Sequence, residues 1–258
     1  MSALSNAASS GACPLIQEVT RAGESGRPRI MIDLKNQRLR NLKHTVRTTA
    51  RMFCEAITGQ EYRCVFLTLT YREDGMWRPY HITKWVKCVR SWLQRRGHPF
   101  MYVWVAELTK AGRVHYHVAM WVPKTVYLPQ SDTCGWWPYG MTRTETARKP
   151  IGYIMKYVSK GTSDANFKKG LRMVGTGGLS AVQRLERAWW KLPRWLRDES
   201  EPKDRIVKAK GGGWCSRLTG RIWTSFWRFI GVGPPLGDDR NRYAVLESVD
   251  AEFGLQPA

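Results

Sequence analysis

Hydrophobic and polar residues along the central part of the chain follow patterns that predict both strands and helices. Short runs of β-branched and aromatic residues predict strands at 64–70, 100–108 and 113–122. The short, glycine-containing link between the last two predicts a β-hairpin. Helical spacing and helix-end residues predict helices at 36–57, 81–96, 150–160 and 180–192. The segment 123–149 is rich in proline and glycine and is expected to be an irregular loop.

Composition divides the chain into four expected regions. Residues 1–30 are rich in Ser, Ala and Gly, which predicts a flexible N-terminal tail. One folded domain is expected over 31–200, followed by a basic extension over 201–240. Residues 241–258 are acidic and are expected to form a flexible tail.

The charge of the chain predicts an anionic partner. Lys and Arg number 42 against 21 Asp and Glu, which gives a formal net charge of +21. A nucleic acid is the expected partner, and an anionic membrane surface is the lesser option. No apolar run reaches the roughly 20 residues that span a bilayer, and the N-terminus lacks a secretory signal pattern. We therefore expect a cytoplasmic protein whose six cysteines, none in a CxxC pair, are reduced thiols.

A pair of histidines on the third predicted strand suggests a metal site. His115 and His117 point to the same face of that strand, about 7 Å apart. The hairpin places Glu107 opposite His115 or nearly so, where its carboxylate would complete a His-His-carboxylate ligand set with open positions on the metal. A register shift of one residue would turn Glu107 away. The alternative is that both histidines are ordinary surface residues, because short motifs often match by accident.

The predicted helix 150–160 carries a tandem of two Tyr-x-x-Lys units. Helical spacing puts four of its polar residues on one stripe: Tyr153, Lys156, Tyr157 and Lys160. A phenol with a pKa of about 10 is a poor nucleophile near neutral pH. A neighbouring cation or a metal-polarised phosphate corrects this and would allow attack on a phosphodiester. The alternative is that the tyrosines are packing residues and the lysines are merely solvated.

Three segments in order resemble the HUH endonucleases, specifically the two-tyrosine rolling-circle replication initiators of single-stranded DNA phages. The strand FLTLT resembles the first motif of the family, and GRVHYHVAMWV resembles the HUH motif. Tyr116 stands there at a position that is normally hydrophobic. YIMKYVSK resembles the two-tyrosine motif with its lysine.

The resemblance implies an α+β fold with a ferredoxin- or RRM-like core, an antiparallel sheet and helices on one side. It implies site-specific nicking and joining of single-stranded DNA at a replication origin, through a 5′-phosphotyrosine intermediate that leaves a 3′-hydroxyl primer. Mg²⁺ or Mn²⁺ would be held by Glu107, His115 and His117. Tyr153 and Tyr157 would be the nucleophiles, and Lys156 and Lys160 the cations beside the phosphate or phenolate.

The resemblance also implies host partners. A host polymerase would extend the 3′-hydroxyl, and a host helicase would unwind the DNA, since the sequence contains no GxxxxGK[ST] phosphate loop. The expected location is the bacterial cytoplasm of a phage host, with no membrane partner.

Further DNA contacts are expected outside the motifs. Trp136 and Trp137 lie in the Pro/Gly loop and are candidates for stacking on unpaired bases. Lys208 and Lys210, which precede a glycine run, are candidates for a phosphate-binding loop. Most tryptophans of 184–228 are expected in the core instead, since the apolar residues of 222–230 have helical spacing.

Other functions remain open at this point. A relaxase or a single-strand transposase uses the same HUH chemistry. A non-catalytic, RRM-like single-strand-binding protein would keep the charge and the aromatic residues without needing the histidines and phenols. A basic protein that binds membrane surfaces through 221–230 is a weaker option.

Overall fold

The computed structural model describes residues 17–20, 27–109, 111–161, 170–210, 212–233 and 243–249, with 17–20, 160 and 161 as backbone alone. The chain forms two compact units, residues 39–191 and residues 1–38 together with 192–258. This division differs from the expected boundaries at 31 and 200, because the strand at Arg29–Asp33 pairs with the strand at Tyr243–Ser248 and joins the two ends of the chain.

Strands and helices follow one another along the chain in a mixed order. The strands are β1 (Gln17–Thr20), β2 (Arg29–Asp33), β3 (Tyr62–Thr70), β4 (Met101–Leu108), β5 (Val114–Pro123), β6 (Thr142–Thr146), β7 (Val174–Gly177), β8 (Ile206–Lys208), β9 (Trp214–Ser216), β10 (Ile222–Trp223), β11 (Trp227–Gly233) and β12 (Tyr243–Ser248). The helices are α1 (Leu34–Ala56), α2 (His81–Gln94), α3 (Pro150–Gly161), α4 (Ala181–Trp189) and α5 (Arg194–Asp198).

The unit 39–191 is built on an antiparallel sheet with the strand order β6-β3-β5-β4-β7. β5, which carries the two histidines, lies at its centre. The predicted hairpin is present, and its register pairs Glu107 directly with His115. The α+β class with an antiparallel sheet is therefore confirmed. The segment 123–149 differs from a plain loop, because its end forms the edge strand β6.

Helices cover both faces of this sheet, where the resemblance implied helices on one side only. α2 packs on one face, where Trp85 joins Leu67 and Tyr116 in a buried cluster. α1 and α3 pack on the other face, where Phe53 and Ile154 join a second cluster. β4 and β5 are apolar along almost their whole length rather than alternating, so each face of the sheet buries its own core.

Trp137 is a core residue, which corrects its expected role in DNA stacking. Its side chain is fully buried, and its indole N–H donates a hydrogen bond of 3.0 Å to the carbonyl of Thr70. The ring also packs against Tyr71, with ring centroids 5.0 Å apart. The loop after β5 therefore folds back onto the sheet and fills a site in its core.

Replacing Trp137 by alanine is expected to lower the free energy of unfolding by about 3–5 kcal/mol, because a large buried side chain and its hydrogen bond are lost. Urea denaturation measures this change. Tyr127→Ala, at an aromatic of the same loop that is 81% exposed, is the control and should unfold like the parent. Unchanged stability together with weakened binding of single-stranded DNA would restore the stacking role.

The other unit contains two small antiparallel sheets with the orders β1-β2-β12-β11 and β10-β9-β8. β12 lies where an acidic tail was expected. Its apolar residues pair on both sides, and Glu247 is buried between Arg29 at 3.0 Å and Arg228 at 2.7 Å. The remainder of the two expected tails, 1–16, 21–26 and 250–258, lies outside the described residues.

The expected helical core at 222–230 is also corrected. Residues 222–223 and 227–233 form strands β10 and β11. Trp223 is buried as expected, whereas Phe226 and Phe229 are exposed. Helical spacing over so short an apolar stretch does not distinguish a helix from a strand.

Candidate active site

The two histidines and Glu107 share the face of the sheet on which α3 lies. His117 Nε2 is 2.7 Å from Glu107 Oε2, and His117 Nδ1 is 3.3 Å from the hydroxyl of Thr68 on the neighbouring strand. The rings of His115 and His117 have centroids 6.3 Å apart. The strand pairing explains this placement, since Thr68 and Glu107 stand opposite His117 and His115 respectively.

The chemistry of these side chains suits a divalent cation. Two imidazoles and a carboxylate are common metal ligands. Burial, and then the charge of Arg113, lower the pKa of His115 below its ordinary value, which favours the neutral ring that binds metals. Within the described residues, no three His, Cys, Asp or Glu side chains are yet placed so as to hold an ion. The metal-binding role of the three residues therefore stays a prediction.

α3 brings both tyrosines to this face. Pro150 begins the helix, as expected of a residue with a fixed φ and no N–H, and Ile154 and Val158 are buried against the sheet. The ring of Tyr157 stacks on His117 with centroids 3.6 Å apart and an interplanar angle of 23°. The phenols therefore do not project freely into solvent, and Tyr157 contacts a candidate metal ligand directly.

Phe66 connects the two tyrosines. Its ring centroid is 4.3 Å from that of Tyr153 and 5.6 Å from that of Tyr157. The FLTLT motif contains this residue, but its sequence gives no sign that the Phe66 side chain orients the phenols. The contact appears only when β3 and α3 are packed together.

Tyr153 has a different environment from Tyr157. Its hydroxyl donates a hydrogen bond of 3.1 Å to Oε2 of Glu145 on β6. The other carboxylate oxygen of Glu145 is 2.5 Å from Nε of Arg143. The neighbouring Tyr157 hydroxyl, burial and the Glu145 carboxylate together raise the pKa of Tyr153 well above its ordinary value, so this phenol is neutral.

A pocket of about 490 Å³ opens beside Tyr153. Phe66, Tyr153 and Gly152 line its floor and wall, and three cationic residues border it: Arg148, Lys149 and Lys156. The Nζ of Lys156 is also 5.9 Å from the centroid of the Tyr157 ring. The side chain of Lys160 lies outside the described residues. An aromatic floor with a cationic border suits a nucleic-acid strand next to the phenol.

Comparison with known families bears on this arrangement. Residues 64–162 match the family of the replication-associated protein ORF2. The matched segment runs from β3 to the end of α3, so it includes the histidines, Glu107 and both tyrosines. It supports a rolling-circle, Rep-like replication protein with DNA as its partner. No curated protein and no solved structure matches the chain.

The remaining predicted residues of this Rep-like chain lie elsewhere. Trp136 is half-buried against Trp92, with ring centroids 5.6 Å apart. Lys208 is on β8, with its Nζ 4.7 Å from the centroid of the Trp214 ring, and Lys210 is exposed in the turn that follows. Their DNA-binding roles stay predictions. Within the described part of the chain, no helix combines the length and hydropathy needed to span a bilayer.

Sequence reasoning missed Glu145 and Arg143. Both lie in the segment that was expected to be a loop. The alternation of threonine with charged residues in TRTET is a weak strand signal that identifies β6 in hindsight. Nothing in the sequence indicates that Glu145 reaches Tyr153.

Proposed function

We propose that this chain is an HUH endonuclease that nicks and joins single-stranded DNA at a rolling-circle replication origin. The observation that carries the proposal is the stacking of Tyr157 on His117, while His117 contacts Glu107. It brings a phenol nucleophile against the candidate metal ligands, inside the segment that matches the replication-associated family.

The residues of the site suit phosphoryl transfer to a phenol. His115, His117 and Glu107 would hold Mg²⁺ or Mn²⁺, and the bound ion would polarise the scissile phosphate. The hydroxyl oxygen of one tyrosine attacks phosphorus, and the bond from phosphorus to the 3′ oxygen breaks. The 5′ side of the DNA is then joined to the tyrosine, and the 3′ side is released as a hydroxyl primer.

A second phenol allows a second transfer without release of the DNA. The rings of Tyr153 and Tyr157 have centroids 5.6 Å apart, so both stand beside the same stretch of sheet. Lys156 and the cations that border the pocket would contact the DNA backbone phosphates. A host polymerase would extend the primer, and a host helicase would supply unwinding.

A covalent-adduct assay tests this function. The protein is incubated with single-stranded DNA of the replicon that encodes it and Mn²⁺, and then run on a denaturing gel. We expect a shifted band that protease removes and that EDTA prevents. DNA binding without an adduct, over several origin-containing substrates, would favour the non-catalytic single-strand-binding alternative.

A further inference from the structure

Glu145 gives Tyr153 a proton acceptor that Tyr157 does not share in the same way. We infer that Glu145 is a catalytic residue that takes the phenolic proton when Tyr153 attacks DNA. The inference rests on the proposed function and extends it, because it assigns different activation to the two tyrosines.

The strand pairing fixes Glu145 in position. β6 pairs with β3 so that Glu145 stands opposite Phe66, and the Phe66 ring packs edge-on against Tyr153. Arg143 holds Oε1 of the carboxylate, and Oε2 receives the hydrogen bond from the Tyr153 hydroxyl. The acceptor oxygen is therefore aimed at the oxygen that would react.

The two phenols have different nearest partners. Tyr157 stacks face to face on His117, whereas Tyr153 packs on Phe66 and donates to Glu145. The pocket adjoins Tyr153 and is lined by Glu145 as well as by the cations Arg148, Lys149 and Lys156. A DNA strand in that pocket would lie next to both the phenol and its acceptor.

Proton transfer to Glu145 fits the chemistry of the attack. A neutral phenol becomes far more acidic as its oxygen bonds to phosphorus, so a carboxylate already in hydrogen-bond contact can accept the proton in the transition state. The Oη–P bond forms while the P–O3′ bond breaks, and its electron pair leaves with the 3′ oxygen. That oxygen takes a proton from water. The hydroxide left behind is neutralised by the proton that Glu145 releases to the solvent.

The test isolates each phenol in turn. Adduct formation is timed with Mn²⁺ and origin DNA in Tyr157→Phe, where Tyr153 is the remaining phenol of the pair, and in Tyr153→Phe, where Tyr157 remains. Adding Glu145→Gln is expected to slow the Tyr153 reaction by about 100-fold, the usual size of a general-base effect, and to leave the Tyr157 reaction unchanged. Glu145→Asp, which retains a carboxylate, should restore part of the rate.

The pH profile separates proton transfer from a structural role. Without the carboxylate, the Tyr153 reaction should recover as pH rises, because hydroxide can then remove the phenolic proton. The charged groups that face Glu145, namely Arg143, Arg148, Lys149 and Lys156, are the same in every variant. Glu61→Gln removes an equivalent charge that pairs with Lys124 and serves as the control.

The outcomes are distinguishable. Equal slowing of both phenols by Glu145→Gln, or an unchanged Tyr153 reaction, overturns the role of Glu145 and leaves the nicking function intact. An adduct in the parent but none in Tyr157→Phe overturns it too, since Tyr153 is then not a nucleophile. Absence of any adduct in the parent removes the proposed function, and this inference with it.

Discussion

Replacing both Tyr153 and Tyr157 by phenylalanine is expected to abolish the covalent protein–DNA adduct, a loss on the order of 10³-fold or more when a nucleophile is removed. Phenylalanine keeps the ring that stacks on His117 and the ring that packs on Phe66. The change removes two hydroxyl groups and one hydrogen bond to Glu145, worth about 1 kcal/mol. The fold and DNA binding should therefore survive.

Gel assays of the two single variants complete this prediction. Each variant retains one phenol, so each should still form an adduct at a reduced rate. Tyr127→Phe removes a hydroxyl from a residue that is 81% exposed in the same unit, and it should behave like the parent. An adduct that persists in the double variant would show that another side chain is the nucleophile.

The second large effect is expected at His117. Its ring contacts Glu107, Thr68 and Tyr157, so alanine removes a candidate ligand together with the surface that orients a nucleophile. Loss of a residue that only supports a metal ligand already costs 10–100-fold, so His117→Ala should slow adduct formation by more than about 100-fold.

Calorimetric titration with Mn²⁺ checks the same variant without relying on activity. The parent should bind the ion, and His117→Ala should bind it at least about 10-fold more weakly. His98→Ala is the control, because His98 lies in the turn after α2 on a different part of the unit. Equal Mn²⁺ affinity in His117→Ala and the parent would contradict the assignment of the metal ligands.

The sequence predicts the centre of the site because short-range rules decide it. Side chains two apart on a strand share a face, so His115 and His117 follow from the strand alone. A short hairpin then places Glu107, and its register with His115 is the one expected. The stripe of tyrosines on α3 follows from helical spacing.

The parts that the sequence did not predict depend on contacts between distant segments. Glu145 reaches Tyr153 because β6 pairs with β3, about 80 positions earlier in the chain. Trp137 looks like an exposed loop residue until the loop folds onto Thr70 and Tyr71. β12 is recognisable as a strand only through β2, its partner at the other end of the chain. Local propensity is a weak guide wherever pairing of this kind decides the outcome.

The most direct test of the central claim is to identify the residue that carries the DNA. The adduct is digested with nuclease and trypsin, and the peptides are examined by mass spectrometry for an attached nucleotide. Trypsin cleaves after Lys156, so Tyr153 and Tyr157 fall in separate peptides, 149–156 and 157–160. The account predicts a 5′-phosphate link on one or both of these peptides. A nucleotide attached anywhere else in the chain would contradict it.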